Sequence, residues 1–187
     1  FLVDTTPPVT TATMTSPPNG ASYTNNTWTN QNVSVDILSF DAGIDFDNIV
    51  YPKYCLDTTN TCTPNINRWA NGVYIIISTQ GISYIRYQSI DYLGNAETIK
   101  SRTIKIDKIL PNLNILFPTN FANLTYKTSI PLNFSASDSE SGLSSCWYNL
   151  DNGTNITLLN CQNTTFNITG GSHILYLYAN DSVNNVK

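Results

Sequence analysis

Four cysteines, a few clustered carboxylates, one histidine and three tryptophans are the residues of this chain that could do chemistry. The cysteines fall into two close pairs, Cys55 with Cys62 and Cys146 with Cys161. Zinc takes cysteines in tight Cys-x-x-Cys spacing or with histidine partners, and the sequence offers only His173. A thiol nucleophile needs a histidine base beside it. Each pair instead brackets a predicted hairpin, so two local disulfides are expected, Cys55–Cys62 and Cys146–Cys161, formed in an oxidising compartment. On the chain-entropy account the longer loop gains on the order of 3 kcal/mol and the shorter one less.

Asp41, Asp45 and Asp47 cluster in one acidic turn, Asp138 and Glu140 lie in its counterpart further on, and Asp107 stands between the two. Calcium takes about six to eight oxygens, which makes Asp41, Asp45 and Asp47 the calcium candidate; no other cofactor is implied. The spacing matches no EF-hand loop, and aspartates in turns usually bond their own backbone. Paired carboxylates would serve glycoside hydrolysis only across a cleft, and nothing here sets them so. Trp28, Trp69 and Trp147, with the eleven tyrosines, could build a sugar-stacking face, although Trp147 is expected beside its hairpin cystine. His173 begins a strand after Gly171-Ser172. No catalytic constellation emerges, and a chain without enzymatic activity is expected.

Composition narrows the partners. Charged residues make up 12% of the chain, the net charge is −4, and the nine Lys and Arg are scattered singly. That excludes nucleic acid, which needs a basic stripe against its phosphates. No apolar run approaches the roughly 20 residues of a membrane helix, so no direct membrane insertion is expected of this segment. The sequence opens on Phe1 without a charged-then-apolar leader, and is expected to be processed or cut from something longer.

Nine Asn-x-Ser/Thr sequons occur, at Asn25, Asn32, Asn123, Asn133, Asn152, Asn155, Asn163, Asn167 and Asn180. A chain this rich in Asn and Thr makes sequons by chance. Parity separates them from the core, however: Asn133 alternates with Leu132 and Phe134, Asn32 with Val33, Asn167 with Phe166 and Ile168, and Asn180 with Ala179. Outward placement is necessary for N-glycosylation without being sufficient, and several of these positions are expected to carry glycans in an extracellular setting.

The elements that position these residues read as short strands. Residues 84–89 alternate Tyr, Ile, Arg, Tyr, Gln, Ser with the period of a half-buried strand, and the Asp91-x-x-Gly94-Asn95 turn follows. A second run ends in Ile104-Lys105-Ile106-Asp107. Much of this recurs. Residues 81–95 match residues 171–185 at an offset of 90, and Phe1-Leu2-Val3-Asp4 matches residues 104–107 at an offset of 103. Between these marks the two copies run in parallel: Pro8 with Pro111, residues 33–39 with 130–136, Tyr54-x-Leu56-Asp57 with Tyr148-x-Leu150-Asp151. Each copy offers about seven short strands and no helical period, which indicates a β-sandwich.

The motifs Asp-x-x-x-Pro, Pro-x-Asn-Gly, Asp-x-Gly-Ile, Tyr-x-Leu-Asp, Gly-x-x-x-Ile-x-Tyr and Asp-x-x-Gly-Asn closing on Ile-Asp resemble the tandem immunoglobulin-like repeats of bacterial and archaeal surface proteins. The resemblance covers nearly the whole chain. It implies an all-β architecture of two tandem antiparallel sandwiches, one over residues 1–107 and one over 108–187. It also implies use as a stalk, filament or surface-layer unit, adhesin or enzyme spacer, at the cell surface or outside the cell. Sequon density and low lysine point to an archaeal rather than a bacterial source. In the second copy Asn184 replaces the turn glycine, a tolerable exchange because Asn also visits the left-handed region.

The ends carry a further expectation. After its Asp-x-x-Gly-Asn turn the first copy continues into residues 96–106, its last strand, whereas the second copy has only Val186 and Lys187 beyond Asn185. The second sandwich is therefore expected to lack its last strand within this chain. Residues 1–4 resemble the tail of a preceding last strand, which makes Phe1, Leu2 and Val3 the strand-donor candidate. Two occupants of the open edge are in view: neighbouring repeats of a longer array, or Phe1, Leu2 and Val3 of another subunit, giving head-to-tail self-association.

Overall fold

The computed structural model describes residues 4–42, 50–67 and 72–187, and the chain divides into two compact units, Phe1–Asp107 and Lys108–Lys187. Both are all-β sandwiches, each a pair of sheets closed on one hydrophobic core.

In the first unit, one sheet is formed by β1 (Val9–Ser16), β2 (Ala21–Ser22), β4 (Val33–Phe40) and β7 (Gly72–Ile77), in the order β2-β1-β4-β7. The other is formed by β3 (Trp28–Thr29), β5 (Val50–Asp57), β6 (Ile66–Asn67), β8 (Gly81–Asp91) and β9 (Lys100–Ile106), in the order β3-β9-β8-β5-β6. Alternation explains which side chains meet. Val33, Val35 and Ile37 of β4 are fully buried while Leu38 and Phe40 face outward, the period of a strand with one face to the core. They join Met14, Val73 and Ile77, and pack on Tyr54, Ile85, Tyr87, Ile104 and Ile106 of the second sheet. Each aliphatic side chain buried there contributes about 1.5–3 kcal/mol.

The second unit repeats the plan with fewer strands. One sheet has β10 (Asn112–Phe117), β11 (Ile130–Ser137) and β14 (Thr164–Phe166), in the order β10-β11-β14. The other has β12 (Leu143–Leu150), β13 (Ile156–Leu158) and β15 (Leu175–Asp181), in the order β13-β12-β15. β10, β11 and β14 stand where β1, β4 and β7 stand; β12, β13 and β15 stand where β5, β6 and β8 stand. Ile130, Leu132, Phe134, Cys146, Tyr148, Phe166 and Ala179 form the centre of its core. The expected seven strands per copy become nine in the first unit and six in the second among the described residues. Two short two-residue strands, β2 and β3 in the β1–β4 connection, account for the surplus in the first unit, and the second has no counterpart of β2, β3 or β9.

The repeated turn is the same structure twice. Asp91 accepts from the backbone N–H of Asn95 at 2.8 Å and from its side-chain amide at 2.7 Å. Asp181 accepts from Asn185 in the same two ways, at 2.8 and 2.6 Å. The turn position with positive φ is Gly94 (φ 94°) in the first unit and Asn184 (φ 66°) in the second, so Asn fills the left-handed site as the sequence implied.

Candidate functional site

The second unit is where the fold leaves something open. In the first unit β8 lies between β5 and β9, and Ile85 and Tyr87 are completely buried. Their counterparts on β15, Leu175 and Leu177, are only half-buried. β15 pairs with β12 along one edge, and among the described residues no strand lies along the other. The side chains that cover this position in the first unit are Ile104, opposite Ser83, and Ile106, opposite Gly81. Ser83 and Gly81 correspond to His173 and Gly171. Both line a groove of about 1150 Å³ in the second unit, together with Leu113, Leu124, Phe166, Ile168 and Leu175. The groove thus occupies the place of the β9 side chains. An edge of this kind presents unpaired N–H and C=O groups beside exposed core.

His173 stands in the groove lining and is tied down from both ring nitrogens. Nδ1 lies 2.7 Å from the Asp151 carboxylate and Nε2 lies 3.3 Å from the Thr169 carbonyl. Asp151 also accepts from the backbone N–H of Ile174 at 2.7 Å. The hydrogen bond to Asp151, helped by its charge and by the Thr169 carbonyl, raises the imidazole above its ordinary value against a smaller opposing effect of burial. The same bond and that from Ile174 hold Asp151 below the usual carboxylate range. The Thr169 hydroxyl sits 3.5 Å from Nε2, an arrangement in the order of a nucleophile, base and orienting acid. The carboxylate can only accept, so Nδ1 donates to Asp151, and Nε2 faces both the Thr169 carbonyl and its hydroxyl. The cluster secures the start of β15.

Among the described residues, acidic side chains distant in the sequence come together. Asp41 is buried with Asp91, and Asp4 joins them, each offering an oxygen within 4.8 Å of the others. Asp45 and Asp47, the other two members of the calcium candidate, lie outside the described residues. Asp4 and Asp91 spend oxygens on turns, through Thr6 and Asn95. In the second unit Asp138 accepts from the N–H groups of Glu140 and Gly142 at 3.1 and 2.8 Å, the self-bonding of an acidic turn. Asp107 is fully buried and accepts from the Gln80 side chain at 3.1 Å.

Sequence reasoning missed one polar cluster. The Glu97 carboxylate accepts from the N–H of Ser89 at 3.0 Å and of Thr10 at 3.1 Å, and from the Thr10 hydroxyl. It pairs with Lys100 at 2.7 Å, and Lys100 also donates to the Thr10 carbonyl at 2.7 Å. Ser39 and Thr10 both bond the buried Ser89 hydroxyl, at 2.6 and 2.7 Å. Glu97 thereby fastens β1 to the segment leading into β9. The available signal was a lone acid and a lysine three residues apart ahead of the last strand. Ala179 and Lys187 hold the corresponding places of Ser89 and Glu97 in the second unit, so the clasp is not repeated.

Both disulfides are formed as expected, Cys55–Cys62 and Cys146–Cys161. Beside the first, the Asp57 carboxylate gathers the N–H groups of Asn60, Thr61 and Cys62 and the Thr59 hydroxyl. Burial pushes Asp57 up, but these donors outweigh it and hold it at about 2. Trp147 is not packed beside its cystine. Cys146 and Tyr148 are buried inward, so alternation turns Trp147 to the opposite face, where it stacks on Tyr178 of β15 with ring centroids 5.6 Å apart. Trp28 meets Lys105, whose ammonium lies 5.7 Å from the ring centre, and Trp69 lies outside the described residues.

Among the sequons, Asn25, Asn123, Asn152, Asn155, Asn163 and Asn167 are exposed, while Asn32, Asn133 and Asn180 are half-buried. Several use their side-chain oxygen structurally. Asn25 accepts from Thr103, Asn163 from Phe134, Asn167 from Ser129 and Asn180 from Ser145. The strand-donor candidate Phe1, Leu2 and Val3 lies outside the described residues. No described helix is long and apolar enough to cross a membrane. Comparison with protein families, curated proteins and solved structures finds no match for this chain.

Proposed function

We propose that this chain is a structural, non-catalytic segment of an extracellular filament or surface-layer protein, built from immunoglobulin-like repeats that complete one another through edge strands. One observation carries the reading: Leu175 and Leu177 are half-buried beside an unpaired edge where Ile85 and Tyr87 are sealed by β9. Exposed core next to free backbone groups is stabilised by adding a strand. Two disulfides suit an oxidising, extracellular setting, and the exposed sequons suit an N-glycosylated, archaeal surface protein. The partners are then neighbouring repeats or further copies of the chain. Electron microscopy of the purified protein is the test. Ordered filaments or a lattice are expected; a strictly monomeric protein at high concentration would sink the reading.

A second reading, an adhesin segment or carbohydrate-binding spacer, is favoured by the outward Trp147–Tyr178 pair, since aromatic faces stack on sugar rings. Saturable binding on a glycan array, abolished by Trp147→Ala, would establish it.

A further inference from the structure

Resting on the reading of a self-assembling repeat protein, we infer that the outer face of the β2-β1-β4-β7 sheet is a contact surface, and that its partner is the same face of another copy of this chain. The contact joins subunits side by side about a two-fold axis and needs no strand added at an edge.

The two units make the case by contrast. On the outer face of the first, Val9 of β1, Leu38 and Phe40 of β4, and Tyr74 and Ile76 of β7 are between 49% and 66% exposed. Val9 lies opposite Phe40 and Leu38 opposite Gly72, with Tyr74 and Ile76 following on the same side of β7. Side chains two apart on a strand, or diagonal across a pair, are neighbours, so the five form one apolar stripe. In the second unit the strand registers carry these places onto Asn112, Ser135, Ser137, Asn163 and Thr165, all exposed. Tyr74-x-Ile76 is thus matched by Asn163-x-Thr165, a sequon. Strand propensity does not require the difference, since threonine serves an exposed strand position as well as isoleucine. One sheet plan is used twice, and only one copy keeps its outer face apolar.

Size and charge identify the partner. The stripe exposes roughly 500 Å² of apolar surface, the upper range for a monomer. With Thr11, Thr13 and Thr15 beside it, the face reaches about the 800 Å² per partner that a stable interface buries. Asp36, half-buried, is its one charged group among the described residues, so the face offers little to a strongly charged partner. The other described sheet faces do not match it. The opposite sheet of the first unit carries Lys53, Arg86 and Lys105 on its outer side. In the second unit one outer face is the polar one above, and on the other Trp147 and Tyr178 are half-buried against each other. The stripe therefore complements itself, and a self-matching patch closes as a two-fold pair.

The test uses the full chain. A spin label at Thr11→Cys, beside Leu38, should give a label-to-label distance within about 25 Å between copies, because facing sheets pack about 10 Å apart. Leu38→Ser with Ile76→Thr installs the residues of the second unit at exposed positions. It should remove that distance and weaken the pairing at least about ten-fold in sedimentation, with thermal melting of dilute protein unchanged. Tyr92→Ser, at an exposed aromatic of the Asp91–Asn95 turn, should change neither. Filaments that persist in the double variant without the short distance would confirm that the side-by-side contact is separate from the edge contact. No short distance, or one that the double variant retains, in protein that still forms filaments would overturn the face while leaving the edge-strand reading in place. A protein that stays monomeric at high concentration would remove both.

Discussion

The imidazole of His173 and the carboxylate of Asp151 face each other at 2.7 Å at the point where β15 begins. This pair sets a pH window. The raised imidazole contributes stability that is complete below its ordinary value of 6.5 and is lost as pH rises through its folded value. The depressed Asp151 contributes stability present above its ordinary value of 3.8 and lost as pH falls through its folded value. Thermal melting of the chain should show the pair's contribution intact between these limits and falling on either side. His173→Gln should abolish the fall on the alkaline side. Because His173 is the sole histidine, the imidazole proton resonances report its titration directly, and an unshifted midpoint would refute the prediction.

Glu97 is expected to matter more than any other surface-strand acid of the first unit. Its side chain is only 7% exposed and it holds Thr10, Ser89 and Lys100 together. Glu97→Ala leaves the N–H groups of Thr10 and Ser89 without their acceptor and Lys100 with the Thr10 carbonyl but no counter-charge. A loss of about 2–3 kcal/mol in chemical denaturation follows, less than for a fully buried pair because Lys100 reaches solvent. The same change at Lys187 should be near neutral.

Tyr87 is fully buried, and its hydroxyl has no hydrogen-bond partner among the described residues. Tyr87→Phe removes a desolvated polar group without changing the packing. It should leave stability unchanged or raise it by about 1 kcal/mol. A loss of more than that amount would reveal a partner for the hydroxyl.

The two cystines close loops of different length, with separations of 7 and 15 residues. On the chain-entropy account Cys146→Ala with Cys161→Ala should cost about 3 kcal/mol, and Cys55→Ala with Cys62→Ala about 2.4 kcal/mol. Denaturant titrations of the two double variants decide the order. The reverse order would show that the Asp57 loop, with its four donors, depends on its cystine for more than chain entropy.

Hydrogen exchange should separate the two equivalent strands. β8 has a partner strand on each side, whereas β15 is paired along its length with β12 and on its other side only at Ala179 and Asn180, by Lys187 and Val186. Amides of residues 172–177 that face the open edge should exchange at least a hundred-fold faster than those of residues 82–87 in dilute protein. They should slow when the chain assembles. Equal protection in dilute protein would mean the edge is already covered.

What the sequence determined alone was everything set within a few residues. Alternation identified the strands and their inward sides, as in Val33, Val35 and Ile37. The Cys55–Cys62 and Cys146–Cys161 pairs were legible because a short loop brings its ends together in any hairpin. The Asp181–Asn185 turn was legible because its bonds close within four residues, and the left-handed Asn184 with it. Even the direction of Trp147 was available from its parity against Cys146, although its stacking partner was not. Tertiary structure decided the rest. Tyr178 meets Trp147 only through the β12–β15 register, and Glu97 finds Thr10 across 87 residues. Asp41 meets Asp4 and Asp91, both far from it in the chain. The groove brings Leu113, Phe166 and Leu175 together from strands far apart in the chain. Such contacts depend on which strands lie side by side and in what register. That is fixed by the packing of two sheets on a common core, and no local pattern of residues contains it.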